Sequence, residues 1–201
     1  MSRFSQAISE GDGISVIPLL GGDVARLASL AEDAGAEAVA VSTVADAERA
    51  REQTGLPILV RSGTPREVAE CGGHAFVLVF EHVEDEGEAL EDLYALARDL
   101  DLDCAVDVRD EDELAAALER LDPDIILISE REPDKDEEAL ERTLDLLPDV
   151  PAGKLVISDG PVSVREQVVA LERAGVDAIL VESDFLAEPG FTATLGELTG
   201  R

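Results

Sequence analysis

Eight times along this chain an apolar, β-type run is followed by a stretch of helical periodicity, and this alternation restricts the fold more than any other feature of the sequence. The runs lie at Ile14–Leu20, Ala38–Val44, Pro57–Arg61, Ala75–Phe80, Asp103–Val108, Asp124–Ser129, Leu155–Ser158 and Ala178–Val181. Most are continuously apolar, as strands are when a parallel sheet is covered on both faces. Parallel neighbours require helical, right-handed crossovers. Eight βα units in 201 residues predict a (β/α)8 TIM barrel, eight parallel strands with outer helices, near the lower size limit of that fold. The barrel is read as one domain over residues 1–201, with residues 1–12 a helical lead-in. An open doubly wound sheet is the alternative. It would more often carry five or six strands and a glycine-rich first turn, and Leu20-Gly-Gly-Asp23 lacks that fingerprint.

The junctions carry their own signals. Gly35-Ala-Glu-Ala38, Gly72-Gly-His-Ala75 and Gly175-Val-Asp-Ala178 repeat one pattern, Gly-x-x-Ala followed by an apolar run. The glycine can adopt the left-handed conformation that ends a helix, and the alanine lets a strand enter a crowded sheet. Helix starts are marked by Thr64-Pro-Arg-Glu67 and Ser163-Val-Arg-Glu166, both with capping-box spacing, and by Asp110-Glu-Asp-Glu113. The acids there also favour the positive end of the helix dipole.

Composition narrows the partners. With 46 Asp+Glu against 16 Lys+Arg the formal charge is -30, which repels phosphate backbones and anionic lipid heads. Neither a nucleic-acid nor a membrane surface is an expected partner. Lysine is scarce, only Lys135 and Lys154, so the acidity fits either a high-salt interior or a GC-rich genome. Two cysteines, Cys71 and Cys104, and two histidines, His74 and His82, give neither a disulfide framework nor a Cys/His metal site, so no metal is expected. No basic start with an apolar h-region opens the chain, and no apolar run approaches the length of a membrane helix, so a cytoplasmic location is expected. Aromatic residues make up 3%, and with no adhesive helix face in view a monomer is the default.

In a barrel of this kind the reacting groups gather at the C-terminal ends of the strands. The polar candidates there are Ser42 and Thr43, Arg61 and Ser62, Glu81 and His82, Asp107 and Arg109, Ser129 to Arg131, Ser158 to Gly160, and Glu182 to Asp184. Alternation sets Asp107 on the face of Asp103 and Ala105, opposite Cys104, Val106 and Val108, which suits a carboxylate at the barrel mouth. The other acids read as solvated rim charges.

Beyond these features, Phe4-Ser-Gln-Ala-Ile-Ser-Glu-Gly-Asp-Gly-Ile-Ser-Val-Ile17 resembles the approach to the first strand of indole-3-glycerol-phosphate synthases. Leu56-Pro-Ile-Leu-Val-Arg61 resembles that family's strand three, and Ala105-Val-Asp-Val-Arg-Asp-Glu-Asp-Glu-Leu114 its strand five and following helix. Ile125-Ile-Leu-Ile-Ser-Glu-Arg131, Lys154-Leu-Val-Ile-Ser-Asp-Gly160 and Ala174-Gly-Val-Asp-Ala-Ile-Leu-Val181 resemble strands six, seven and eight. The resemblance implies closure of an indole ring on a carboxyphenylamino-deoxyribulose phosphate, with loss of carbon dioxide and water and no cofactor. It implies catalytic positions at Arg61, Asp107 and Ser129 and a phosphate clamp from Arg131, Gly160 and Ser183. A small phosphorylated substrate or anion is the implied partner. Arg131 could instead pair with nearby acids such as Glu130 or Asp134.

Several family positions are changed. Leu19 and Gly21 stand where the family has glutamate and lysine, Arg61 replaces its strand-three lysine, Asp107 its strand-five glutamate, Ser129 its strand-six asparagine, and Glu182 its strand-eight glycine. A guanidinium keeps its proton at ordinary pH, so Arg61 suits an anion better than proton donation. His82 is the one other side chain near the mouth that titrates near neutrality. The changes define an alternative: a catalytically degenerate barrel that binds a small anion or sugar phosphate, or regulates a partner.

Overall fold

The computed structural model describes residues 3–11, 13–80, 90–129, 136–162, 164–182 and 191–199. Eight parallel strands close into a barrel in sequence order. They are β1 (Ser15–Leu20), β2 (Val39–Val41), β3 (Ile58–Val60), β4 (Ala75–Val79), β5 (Asp103–Val108), β6 (Ile125–Ser129), β7 (Leu155–Asp159) and β8 (Ala178–Glu182). Strand β8 returns to β1 in register from Ser15↔Ala178 to Leu19↔Glu182, which completes the ring. Helix α1 (Arg3–Ser9) precedes β1. Outer helices follow each strand: α2 (Val24–Asp33), α3 (Val44–Arg51), α4 (Pro65–Glu70), α5 (Leu90–Asp99), α6 (Glu111–Arg120), α7 (Asp136–Leu146), α8 (Arg165–Ala174) and α9 (Phe191–Thr199). The fold is the predicted (β/α)8 barrel.

The continuously apolar strands resolve into two concentric cores. Ile17, Leu59, Val77, Ala105, Leu127, Ile157 and Leu180 fill the barrel interior, while the alternate residues of the strands, Cys104, Val106, Ile126 and Ile179 among them, pack against the helices. The inner core continues downward into α1, whose Phe4 and Ile8 are buried against it. The Ser5 amide donates to Asp103 Oδ2 at 2.7 Å and fixes this plug at the N-terminal end of the barrel.

The repeated junctions are closed in a way that the Gly-x-x-Ala reading does not include. Gly35, Gly72 and Gly175 take φ of +79°, +79° and +105°, the left-handed conformation expected of them. The third residue of two repeats then clasps the neighbouring strand at two points. His74 donates its amide to Ile58 O at 2.9 Å and accepts the Ile58 amide on Nδ1 at 3.2 Å. Asp177 does the same to Val156, with Oδ2 accepting at 2.7 Å. In the third repeat Glu37 accepts from the Ser15 hydroxyl. The Ile58 and Val156 amides at the barrel floor are thereby given acceptors. His74→Leu is expected to lower unfolding free energy by about 1–3 kcal/mol, read by urea denaturation, because the Ile58 amide is left without its acceptor. Burial first, then the Arg51 and Arg3 cations, hold the His74 pKa below its ordinary value, against the pull of Asp103. The unfolded chain therefore binds a proton that the native protein does not, and this contribution to stability is lost as pH falls below about 6.5. The leucine variant should lack that slope.

Boundaries differ from expectation where caps intervene. Strand β2 ends at Val41 instead of Val44, because Thr43 Oγ1 accepts the Asp46 amide at 3.2 Å and turns the chain into α3. Strand β3 occupies only Ile58–Val60 of the expected 57–61, although the Arg61 amide still donates to Val41 O at 2.9 Å. Thr64 forms the predicted capping box with Glu67. Asp110 caps α6 through the Glu113 amide at 2.9 Å, but Glu113 reaches back to the Arg109 amide, one residue before the cap. Helix α8 starts at Arg165, with the Val164 amide donating to Gln167 Oε1 at 3.2 Å, so the expected box at Ser163 is displaced by one residue. Ser163 itself lies outside the described residues.

Candidate active site at the barrel mouth

The side-chain alternation that fills the interior also decides what faces the mouth. Following the inward positions Ile17, Leu59, Val77, Ala105, Leu127, Ile157 and Leu180 two residues onward gives Leu19, Arg61, Val79, Asp107, Ser129, Asp159 and Glu182. Register places Ser129 beside Asp159 and Glu182 beside Leu19. The mouth thus has apolar residues on β1 and β4 and a charged set at the ends of β3, β5, β7 and β8.

Two contacts organise the charged set. Ser129 Oγ donates to Asp107 Oδ1 at 2.5 Å, and both residues are buried, Asp107 at 4% exposure. Arg61 Nη2 lies 2.7 Å from Asp159 Oδ2. Strands β3 and β7 are diametrically opposite in an eight-strand ring, so this ion pair crosses the mouth. Its carboxylate side chain is 16% exposed and its guanidinium 33%. Burial pushes the Asp159 carboxyl above its ordinary pKa; Arg61 opposes that shift, and the like charges of Asp107 and Glu182 add to it. Asp107 and Glu182 therefore both lie within electrostatic reach of Asp159, whose direct partner is Arg61.

The structure brings Arg61, Asp107 and Ser129 to one mouth, with Gly160 immediately after the Asp159 that ends β7. Arg131 and Ser183 lie outside the described residues, as do Glu81, His82 and Glu130, so Gly160 is the described member of the expected phosphate clamp. Other rim candidates are engaged in structural contacts. Ser158 meets Thr143 of α7 at 3.1 Å, Ser62 Oγ donates to Ser42 O at 2.6 Å, and Arg109 Nε donates to Glu113 Oε1 at 2.9 Å. A separate cleft of about 590 Å³ lies between α6 and α7, lined by Arg109 to Asp112 and by Glu141, Arg142, Asp145 and Leu146. Arg61, Asp107, Ser129 and Asp159 are not among its lining residues. Among the described residues no three His, Cys, Asp or Glu side chains are arranged to hold a metal ion.

Asp159 stands among the strand-end candidates of the sequence, but the sequence reading gives it no role in the site. Its two-residue spacing from Ile157 was the available signal. Its partnership with Arg61 was not, because that contact joins positions 98 apart.

Fold and mouth together define a (β/α)8 barrel with polar and charged side chains gathered at the C-terminal ends of its strands. The family model of indole-3-glycerol phosphate synthase matches residues 66–198, and the chain belongs to that family. It is 35% identical over 132 residues to the indole-3-glycerol phosphate synthase of Albidiferax ferrireducens, covering 66% of this chain and 49% of that protein. The corresponding enzyme of Acidithiobacillus ferrooxidans is 36% identical over 148 residues, 70% of this chain and 55% of the relative. That of Verminephrobacter eiseniae is 31% identical over 200 residues, 90% of this chain and 73% of the relative. The chain thus spans about half the length of the first two. Among solved structures, the N-acetylmannosamine-6-phosphate 2-epimerase of Clostridium perfringens superposes with a TM-score of 0.73 at 16% identity, covering 97% of this chain and 95% of that one. Thiamine phosphate pyrophosphorylase of Pyrococcus furiosus gives 0.69 at 18% identity, with 94% of each chain covered. At these identities the two structures share the fold alone.

Proposed function

We propose that this barrel closes an indole ring on a carboxyphenylamino-deoxyribulose phosphate, releasing carbon dioxide and water, as its family resemblance implies. The observation that carries the reading is the convergence of Arg61, Asp107 and Ser129 on one barrel mouth in a chain of this family. Arg61 is the group for the substrate carboxylate, since a guanidinium fork matches two carboxylate oxygens and keeps its charge. Asp107, oriented by the Ser129 hydroxyl, is the acid/base group for proton transfer during ring closure and dehydration. Gly160, with Arg131 and Ser183, supplies the phosphate clamp, where backbone amides and one arginine suit a phosphomonoester. The ligand is a small phosphorylated molecule in the cytoplasm; the -30 charge disfavours nucleic acid and anionic membrane, and a monomer suffices for the site.

Indole fluorescence after addition of the carboxyphenylamino-deoxyribulose phosphate tests the proposal. Turnover is expected, with Asp107→Asn slower by about 10²- to 10⁴-fold, the usual contribution of a positioned acid or base. Turnover no greater than that of the Asn variant would overturn it.

One observation favours a second reading, a catalytically degenerate barrel that binds a small anion or sugar phosphate or regulates a partner. Arg61 is already paired with Asp159, and Leu19 and Gly21 leave β1 without an acid or a base. Such a protein would lack turnover yet gain about 2.7 kcal/mol of stability from phosphate or a sugar phosphate at a hundred times its dissociation constant. A thermal melt without that shift would remove this reading.

A further inference from the structure

In the Arg61–Asp159 pair the guanidinium at the end of β3 is occupied by an internal carboxylate held from the opposite side of the barrel. An incoming anion that uses Arg61 must displace Asp159. We infer that Asp159 is a protonation-controlled competitor for Arg61, so that the mouth takes up an anionic ligand together with one proton.

The physical basis is the environment left to Asp159 after displacement. The groups facing it are Arg61 from β3, Asp107 from β5 and Glu182 from β8, with Ser129 on β6 beside it in register. Leu19 on β1, Ser42 after β2 and Val79 on β4 take the remaining inward positions and carry no charge. Once Arg61 turns to a ligand carboxylate, Asp159 faces two like charges in a largely buried position, and the ligand adds a third. A buried carboxylate so placed neutralises by taking a proton. Its pKa is already above the ordinary value while Arg61 is still in contact, so the further step is in the same direction. The proton goes to Asp159, and no covalent bond of the ligand changes. Asp159 is therefore a specificity-determining residue. It sets a pH-dependent threshold that an anion has to exceed, while a neutral ligand that leaves the ion pair in place meets none.

This inference deepens the proposed function by assigning control of its carboxylate site, and its test is independent of turnover. Benzoate is the probe, titrated by calorimetry at pH 5 to 8 in two buffers of different ionisation enthalpy. Wild-type protein is expected to take up close to one proton per benzoate, with affinity falling toward tenfold per pH unit across the window in which only the complex holds that proton. Asp159→Asn is expected to bind benzoate at least tenfold more tightly at pH 7.5, with no proton uptake and no pH slope. Arg61→Leu is expected to lose binding, which locates the probe at the mouth. The buffer comparison on wild type stands even where the Asn variant folds poorly. Benzoate binding without proton uptake, no gain in the Asn variant once a melt shows it folded, or no benzoate binding at any pH overturns the inference. Proton-linked benzoate binding without synthase turnover retains it and rejects the ring-closure proposal.

Discussion

Dilution of monovalent salt from about 2 M to about 0.05 M is expected to lower the melting temperature by 10 °C or more. The 46 acidic and 16 basic side chains share 9951 Å² of surface, about one charge per 160 Å², with a large excess of one sign. The Debye length is about 3 Å at 1 M and about 10 Å at 0.1 M, so across this dilution screening changes from much shorter than the roughly 13 Å between neighbouring charges to about equal to that spacing. Self-repulsion of the compact state then becomes collective. Part is offset locally, since Glu111, Asp112 and Glu113 occupy the first turn of α6, where the helix dipole favours them, and Arg120 pairs with Glu91 at 2.7 Å. Among the described residues such contacts are few beside an excess of 30 negative charges. For a domain of this size about 2–4 °C corresponds to 1 kcal/mol, so a change of several kcal/mol gives the expected shift. Melts followed by circular dichroism across a KCl series check it, and a flat series would mean that self-repulsion of the acids contributes little to the stability of the fold.

Phe4→Ala is expected to cost about 3–5 kcal/mol, the range for deleting a fully buried aromatic side chain. Phe4 is 0% exposed and packs with Ile8 into the interior cluster of Ile17, Leu59, Ala105 and Ile157. Helix α1 has seven residues, too few to be stable alone, so its helicity depends on this burial. Removing the ring leaves a cavity under the barrel and weakens the Ser5–Asp103 contact that α1 positions. Against a total stability of 5–15 kcal/mol typical of domains, the loss is large. Urea denaturation should show a lower midpoint with an unchanged slope, and a cost below about 1 kcal/mol would mean that the barrel floor closes without α1.

Legibility followed range along the chain. The inward face of Asp107 could be read from alternation with Ala105, and the caps at Thr64 and Asp110 from spacings of three. The glycines of the three junctions could be read from their own stereochemistry. The end of β2 could not, because whether Thr43 continues a strand or caps a helix depends on where the sheet needs the chain to turn. The clasps of His74 on Ile58 and Asp177 on Val156 were hidden for the same reason, although both residues sit in a visible repeat.

From the amino-acid order alone came the strand and helix periods, the count of eight, the acidic character and the family resemblance, since each is a property of neighbours or of sums. Only closure of the ring decided that Arg61 and Asp159, on opposite strands, meet across the mouth, and that Phe4 fills the space beneath it. Side-chain alternation fixes which face a residue takes, but which residue stands across from it depends on where every strand lies around the circle.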